Sequence, residues 1–363
     1  MDSVLSGSPA PSKRLDGLPG YGKGRAAGAT VFAHRLGSNE APDAVDPAIL
    51  HAVAAALTGA NRYPDLRGES LAGALAQRHG LSAAHVAVAA GSIVLLDQIL
   101  RGWCDPGDTV VSPWRSYEAY PILAGLSGAT LVTVPLDASH GLDPAAFLAA
   151  IDARTRIALI CNPNNPTGTA LDADTLDALL ARIPAHVLII LDEAYCDFAD
   201  AAAQVAASPA ARLARHPNLV ILRTFSKAWG LAGLRVGYAL ASPAMIEQIH
   251  AVQPPFPLPG VALAASIAAL GLEHTVTARI ARNAAERARL TVGLEALGLP
   301  VAASLANFVW LPIGADATAL NEHLARNGIA ARCFLGEGLR ITTGTAADTD
   351  AVLDAAARWR PNA

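Results

Sequence analysis

Seven short apolar runs limit the fold of this chain more than any other feature: 86–89 (VAVA), 109–111 (TVV), 131–134 (LVTV), 156–160 (RIALI), 187–191 (VLIIL), 219–222 (LVIL) and 236–239 (VGYA). Such runs are too short for buried helices and suit strands covered on both faces. Between and around them lie stretches with helical periodicity at 45–57, 68–80, 92–102, 116–127 and 172–183. Strands alternating with helices predict an α/β fold with a seven-stranded, mostly parallel sheet flanked by helices. Further on, 275–297 reads as one long helix with several arginines on its polar face. Short strands near 308–312 and 339–342 and a terminal helix near 346–360 follow it. They form a second, smaller α+β C-terminal unit. Residues 1–14, rich in Ser, Pro and Gly, read as a mobile tail, and 15–38 as an extended arm. The expected division is therefore tail and arm 1–38, large domain 39–274 and small domain 275–363.

Composition excludes several classes of function. With 52% hydrophobic and 16% charged residues, the chain is too apolar to be disordered. A net charge of −4 provides no electrostatic footprint for a nucleic acid or an anionic membrane. The four cysteines, Cys104, Cys161, Cys196 and Cys333, make no C-x-x-C pair, so neither a disulfide framework nor a metal site is expected, and a reducing cytoplasm fits best. The opening Met1-Asp2-Ser3-Val4 has neither a basic nor an apolar stretch, so no export signal is expected. The most apolar stretch, 258–272, is interrupted by Pro259, Gly260 and Ser266, and is shorter than the ~20 residues that cross a bilayer.

The chain has 24 arginines and only three lysines, Lys13, Lys23 and Lys227. Two of the lysines fall in the N-terminal segment. The third follows an apolar run in mid-chain, a position where an amine has a use that a guanidinium cannot fill.

In α/β sheets, ligands collect at the carboxyl ends of the strands. After 156–160 comes Cys161-Asn162-Pro163-Asn164-Asn165-Pro166-Thr167-Gly168. After 187–191 comes Asp192-Glu193-Ala194-Tyr195. After 219–222 comes a segment holding Thr224, Ser226, Lys227 and Arg235. Together these residues suit pyridoxal 5′-phosphate. That cofactor needs a lysine amine for its aldehyde, a carboxylate at its ring nitrogen, hydrogen bonds to its ring oxygen, and hydroxyls with a cation about its phosphate. Lys227, Asp192, Asn165 with Tyr195, and Thr224, Ser226 and Arg235 meet those needs in that order.

With Ser38-Asn39-Glu40, Asn61-Arg62-Tyr63-Pro64 and Gly338-Leu339-Arg340-Ile341-Thr342 added in unbroken order, the chain resembles the fold-type I pyridoxal-phosphate aminotransferases of classes I and II, in the histidinol-phosphate aminotransferase branch. The resemblance spans about residues 15–360. It implies a phosphate cradle from the backbone of Gly91, Ser92 and Ile93, and a ring-stacking aromatic at Tyr117. Tyr63 would reach the cofactor phosphate of a neighbouring subunit, hence a homodimer. Arg340 would clamp the substrate carboxylate, with Asn307 and Arg332 also near substrate, Arg332 lining the pocket or pairing with Glu337.

Three further segments, 114–121, 307–310 and 336–338, resemble the aromatic amino acid aminotransferases of actinobacteria within that branch. They imply an amino group moved from phenylalanine or tyrosine to the keto acid 2-oxoglutarate. Histidinol phosphate is the alternative donor, and a related decarboxylase or oxidase is a further alternative. The proline-rich 254–259, Cys333 after Arg332, and Ala41 depart from the branch pattern near substrate-facing loops.

Overall fold

A computed structural model of the protein describes residues 10–20, 32–199 and 208–360. Parts of the expected tail and arm, 1–9 and 21–31, lie outside the described residues.

Twelve strands are present among them: β1 (His34–Arg35), β2 (Val86–Ala89), β3 (Thr109–Trp114), β4 (Thr130–Pro135), β5 (Thr155–Cys161), β6 (Leu188–Asp192), β7 (Leu219–Thr224), β8 (Gly237–Leu240), β9 (Phe308–Leu311), β10 (Ile329–Ala330), β11 (Arg332–Phe334) and β12 (Gly338–Thr342). Seven of them form one sheet in the order β2-β8-β7-β6-β5-β3-β4. It is parallel except for β8, which runs against both β2 and β7. All seven match the apolar runs, β2 residue for residue and the others with ends moved by at most three residues.

The reason lies in how the runs bury. Val88, Val111, Ala158, Ile189, Leu191 and Ile221 pack into one core, while Ala87, Val110, Ile157, Leu159, Ile190 and Val220 pack into another. Alternate residues of the central strands therefore face opposite layers of helices, so most of their positions are apolar, while the edge strand β4 is partly exposed. Side chains start many of the helices as the sequence suggests: Asp46, Asp172 and Ser242 each accept a hydrogen bond from a first-turn backbone N–H.

The second unit holds a three-stranded antiparallel sheet, β11-β12-β9, against the helices Glu273–Ala296, Asp316–Arg326 and Ala346–Arg358. The long helix departs from expectation in one respect. Arg279 and Arg287 are buried. Arg279 donates to Asp43 Oδ2 (2.8 Å) and to the Ala228 carbonyl (2.6 Å), and Arg287 to the Ala306 carbonyl (2.7 Å). They satisfy loop carbonyls that would otherwise be buried without a donor.

The arm is also more structured than expected. Lys13–Leu15 forms a 3-10 turn, and β1 pairs in parallel with β10. That pairing brings Ser38 and Asn39 to the edge of the large sheet. Among the described residues no single helix is long and apolar enough to cross a membrane.

Candidate active site

A cleft of about 410 Å³ opens at the carboxyl ends of β5, β6 and β7 and is closed from the other side by β11 and β12. Its floor comes from the large sheet. Asp192 ends β6, between Cys161 of β5 and Leu222 of β7 in register, at the middle of the sheet edge. The carboxylate is buried, which pushes its pKa up. It accepts hydrogen bonds from the Tyr120 hydroxyl (2.8 Å) and the Ala194 N–H (3.1 Å), which pull the other way.

Lys227 stands three residues past β7. Its Nζ donates to the carbonyls of Ser38 (3.1 Å) and Asn39 (3.2 Å). Burial first, and then the positive charge of Arg340, lowers its pKa to about 7. The neutral amine is therefore far more accessible near neutral pH than on an ordinary lysine.

Beside the lysine is an anion cradle. Ser92 and Ile93 open the helix Ser92–Trp103, whose first N–H groups have no partner within the helix. Glycine is required at two places here. Gly91 has φ +94°, and a Cβ on it would lie 2.6 Å from Arg235 Nη2. A Cβ on Gly237 would lie 2.0 Å from the Ser92 nitrogen. Small residues thus let β8 and Arg235 close on the helix start. Arg235 Nη1 donates to Ser226 Oγ (3.2 Å), and Thr224 Oγ1 accepts from the Ser226 N–H (3.0 Å).

The walls are tied together. Ser116 Oγ donates to Asn164 Oδ1 (2.7 Å), joining the segment that carries Tyr117 to the 161–168 loop. Tyr117 lines the cleft and meets Tyr120 edge to face at 5.5 Å. Asn165 Oδ1 accepts from Arg340, which also donates to the Gly37 carbonyl (2.8 Å). The buried Tyr195 hydroxyl accepts from Asn39 Nδ2 (2.9 Å).

The cleft thus gathers Lys227, Asp192, Asn165, Tyr195, Thr224, Ser226, Arg235, Ser92, Ile93, Tyr117, Arg332 and Arg340. Three expected residues stand apart. Gly91 shapes the cradle from behind. Asn307 does not line the cleft: its Nδ2 donates to the Asn39 carbonyl (3.1 Å), and its Oδ1 has no hydrogen-bond partner among the described residues. Its position just before β9 turns it toward the loop that receives Lys227. Tyr63 is 83% exposed and stacks on Phe256 at 4.4 Å, outside the cleft of its own chain.

Of the two expectations for Arg332, lining the pocket or pairing with Glu337, it lines the cleft and does not pair with Glu337. Arg332 pairs with Glu118 (2.6 Å), and Glu337 pairs with Arg115. The cause is register: Arg332 lies opposite Arg340, so both share the face of the hairpin turned to the cleft, while Glu337 sits in the connecting turn.

Sequence reading also passed over Tyr120, Asn39 and Glu118 as parts of the site. Tyr120 had a readable signal, a phenol one helical turn from Tyr117 in an otherwise apolar stretch. Asn39 acts partly through its backbone, which no side-chain pattern reports.

These residues fit pyridoxal phosphate on structural grounds. A buried carboxylate with a raised pKa suits a cationic ring nitrogen, the partly neutral amine suits an aldehyde, and the glycine-shaped helix start beside Arg235 suits a phosphate.

Comparison with known proteins agrees. The family profile described as "Aminotransferase class I and II" matches residues 34–358. The chain is 40% identical to the aromatic amino acid aminotransferase of Cutibacterium acnes, over 93% of this chain and 95% of that one. It is 43% identical to the protein of that name from Rhodococcus jostii, over 93% of each. The histidinol-phosphate aminotransferase of Sinorhizobium meliloti, solved with pyridoxal 5′-phosphate, superposes with a TM-score of 0.83 at 30% identity, over 90% of each chain. The aspartate aminotransferase of Thermus thermophilus shares the fold at 21% identity, with a TM-score of 0.78 and 90% and 92% of the two chains covered.

Fold and site together define a fold-type I enzyme dependent on pyridoxal phosphate. The chain belongs to the class I and II aminotransferases.

Proposed function

We propose that this aminotransferase moves the amino group of an aromatic amino acid, phenylalanine or tyrosine, to 2-oxoglutarate. The observation that carries the reading is one cavity containing a half-buried amine of lowered pKa, a buried carboxylate and a guanidinium, with Tyr117 and Phe334 on its walls. The names of the actinobacterial relatives support an aromatic side chain.

Pyridoxal phosphate, when bound, supplies an aldehyde that takes up the substrate amine and a ring that withdraws electrons from the Cα–H bond. Lys227 would hold that aldehyde, and its Nζ, when neutral, would take a proton from the substrate Cα. The carbonyls of Ser38 and Asn39, which accept from Nζ, keep the amine oriented inside the cleft.

Asp192, whose carboxylate direction Tyr120 fixes, would hold the ring nitrogen. Asn165 and Tyr195 would donate to the ring oxygen, and Tyr117 would pack on the ring. Ser92, Ile93, Thr224, Ser226 and Arg235 would hold the phosphate. Arg340 grips the substrate α-carboxylate with its planar fork. Residues 39–274 form the cofactor-binding lobe, and 275–363 the lobe that turns Arg340 to the substrate. Exposed Tyr63 completes the phosphate site of a second subunit in a homodimer.

Histidinol phosphate is the second reading. The Sinorhizobium meliloti neighbour carries that name, and two arginines face the cleft from one hairpin.

The test is a panel of amino donors given to the holoenzyme, with conversion followed by the cofactor's absorbance. Phenylalanine and tyrosine are expected to convert it fastest. Fast conversion by histidinol phosphate with none by phenylalanine would replace this reading with the second.

A further inference from the structure

We infer that Asn39 is a positioning residue: its side-chain amide, locked by Thr342, leaves the Tyr195 hydroxyl proton free for the cleft, where it would be given to the cofactor's ring oxygen. The inference rests on the role proposed for Tyr195 above and adds the residue that aims its proton.

Asn39 is buried and has a left-handed backbone, φ +56°, which asparagine adopts more readily than most residues. It meets four partners. Its carbonyl accepts from Lys227 Nζ (3.2 Å) and from Asn307 Nδ2 (3.1 Å). Its backbone N–H donates to Thr342 Oγ1 (2.9 Å). Its Oδ1 is 3.0 Å from Thr342 Oγ1, and its Nδ2 is 2.9 Å from the Tyr195 hydroxyl.

Counting protons fixes the direction of each bond. A backbone N–H can only donate, so Thr342 Oγ1 accepts from it and has its own proton to give. That proton goes to Asn39 Oδ1. The oxygen end of the amide is thereby set, and the Nδ2 end faces Tyr195. Flipping the amide would aim two donors at Thr342 Oγ1 and strand its proton in a buried site. A hydroxyl that accepts from Nδ2 does not return its proton along the same line. Tyr195 lines the cleft, and its hydroxyl has no other hydrogen-bond partner among the described residues. Burial raises its pKa, outweighing the pull of Arg340 and then of Asn39, so the phenol stays protonated and able to donate.

The strand β12 orients the second donor as well. Arg340 can only donate, so the oxygen end of the Asn165 amide faces it and the N–H₂ end is left for the cleft. Arg340 and Thr342 stand two residues apart on β12 and so share a face. One strand thus directs both donors proposed for the ring oxygen, Asn165 directly and Tyr195 through Asn39.

The test is an absorbance titration of the holoenzyme against pH, with pyridoxal phosphate in excess. A donor to the ring oxygen favours the high-pH form, in which that oxygen carries the most negative charge, so losing the donor raises the midpoint. Asn39→Asp keeps the shape but replaces the donating N–H₂ with an acceptor that draws the Tyr195 proton to itself. The midpoint should rise by about one pH unit, as for one lost hydrogen bond. The new carboxylate also favours the low-pH form by its charge alone, so the variant is repeated in Tyr195→Phe. There the part that acts through Tyr195 vanishes, and the double variant should shift by less than the sum of the two single shifts. Additive shifts, or no shift for Asn39→Asp, overturn the inference.

Thr342→Val changes no charge and should raise the midpoint by a smaller amount, and a midpoint equal to wild type would overturn the locking role of Thr342. The two ideas fail separately. A midpoint unmoved by Tyr195→Phe sinks the assignment of Tyr195 to the ring oxygen, whereas one moved by Tyr195→Phe but not by Asn39→Asp sinks only the role of Asn39.

Discussion

Asp192 and Lys227 stand at the ends of adjacent strands of the seven-stranded sheet, whereas Arg332 and Arg340 stand opposite each other on a three-stranded one. The first pair is held by apolar strands covered on both faces, and burial shifts both pKa values toward the neutral forms. The second pair sits among side-chain partners: Asn165 beside Arg340, Glu118 beside Arg332 and Glu337 beside Arg115. A sheet edge that withdraws an acid and an amine from most of their solvent disfavours the charged form of each and moves both from their ordinary protonation. A rim of paired arginines keeps its charges and changes character with the identity of each partner. On this contrast we propose that the floor sets the chemistry and the rim sets the substrate.

Changes to the floor should cost most. Lys227→Ala should lower the rate of amino transfer by about 10²–10⁴-fold for every donor, as loss of a positioned acid–base group does. Single-turnover kinetics on cofactor-loaded variant would detect this, and a loss confined to one donor would break the division between floor and rim.

Next in size is a matched pair of variants. Asp192→Asn should weaken retention of pyridoxal phosphate and slow all donors alike. Arg340→Ala should lower kcat/KM for phenylalanine, each by about 10–150-fold for one lost charge-assisted contact. Steady-state constants for an amino acid and for its decarboxylated amine sharpen the contrast, since only Arg340→Ala should narrow the gap between them.

The lowered pKa of Lys227 predicts a pH dependence. The amine is charged below its pKa and neutral above it, and only the neutral form attacks an aldehyde. Capture of pyridoxal phosphate by the cofactor-free enzyme should therefore be flat above a pH of about 7 and fall about tenfold per pH unit below it. Stopped-flow absorbance measures this. A midpoint near that of a free lysine would mean that burial does not control the amine.

The smallest effect belongs to Tyr63, which lies outside both regions. Tyr63→Phe should weaken cofactor retention by about 0.5–1.5 kcal/mol if it donates one hydrogen bond across a dimer interface. Equilibrium dialysis of the variant, with sedimentation of wild type, tests this, and a fully active monomer would exclude the role.

The floor was the more legible region. The central strands of the large sheet are mostly apolar because both faces are buried, so the runs stand out, and polar residues at or just past their ends become candidates. The scarcity of lysine marks Lys227 through residue counts alone. The rim was less legible. Its partners are far apart in the chain: Glu118 and Arg332 are separated by 214 positions, and Arg115 and Glu337 by 222. The two-residue strands β1 and β10 carry no periodicity, yet their pairing delivers the Ser38 and Asn39 carbonyls to Lys227. Asn307 was expected beside substrate and instead supports Asn39, a difference set by which way the chain turns before β9.

Local chemistry and the burial of strands were enough, from sequence, to read an α/β sheet, the order of its strands along the chain, and a carboxylate and an amine just after two successive strands. Those features depend on residues within a few positions of one another, where apolar periodicity and residue type carry the information. The tertiary structure alone decided that Tyr120 holds Asp192, that two arginines of the long helix are buried, and that Glu118 rather than Glu337 meets Arg332. Such pairings follow from strand register and from how the small sheet sits over the large one, and the charge of a side chain does not by itself say which distant opposite charge it will find.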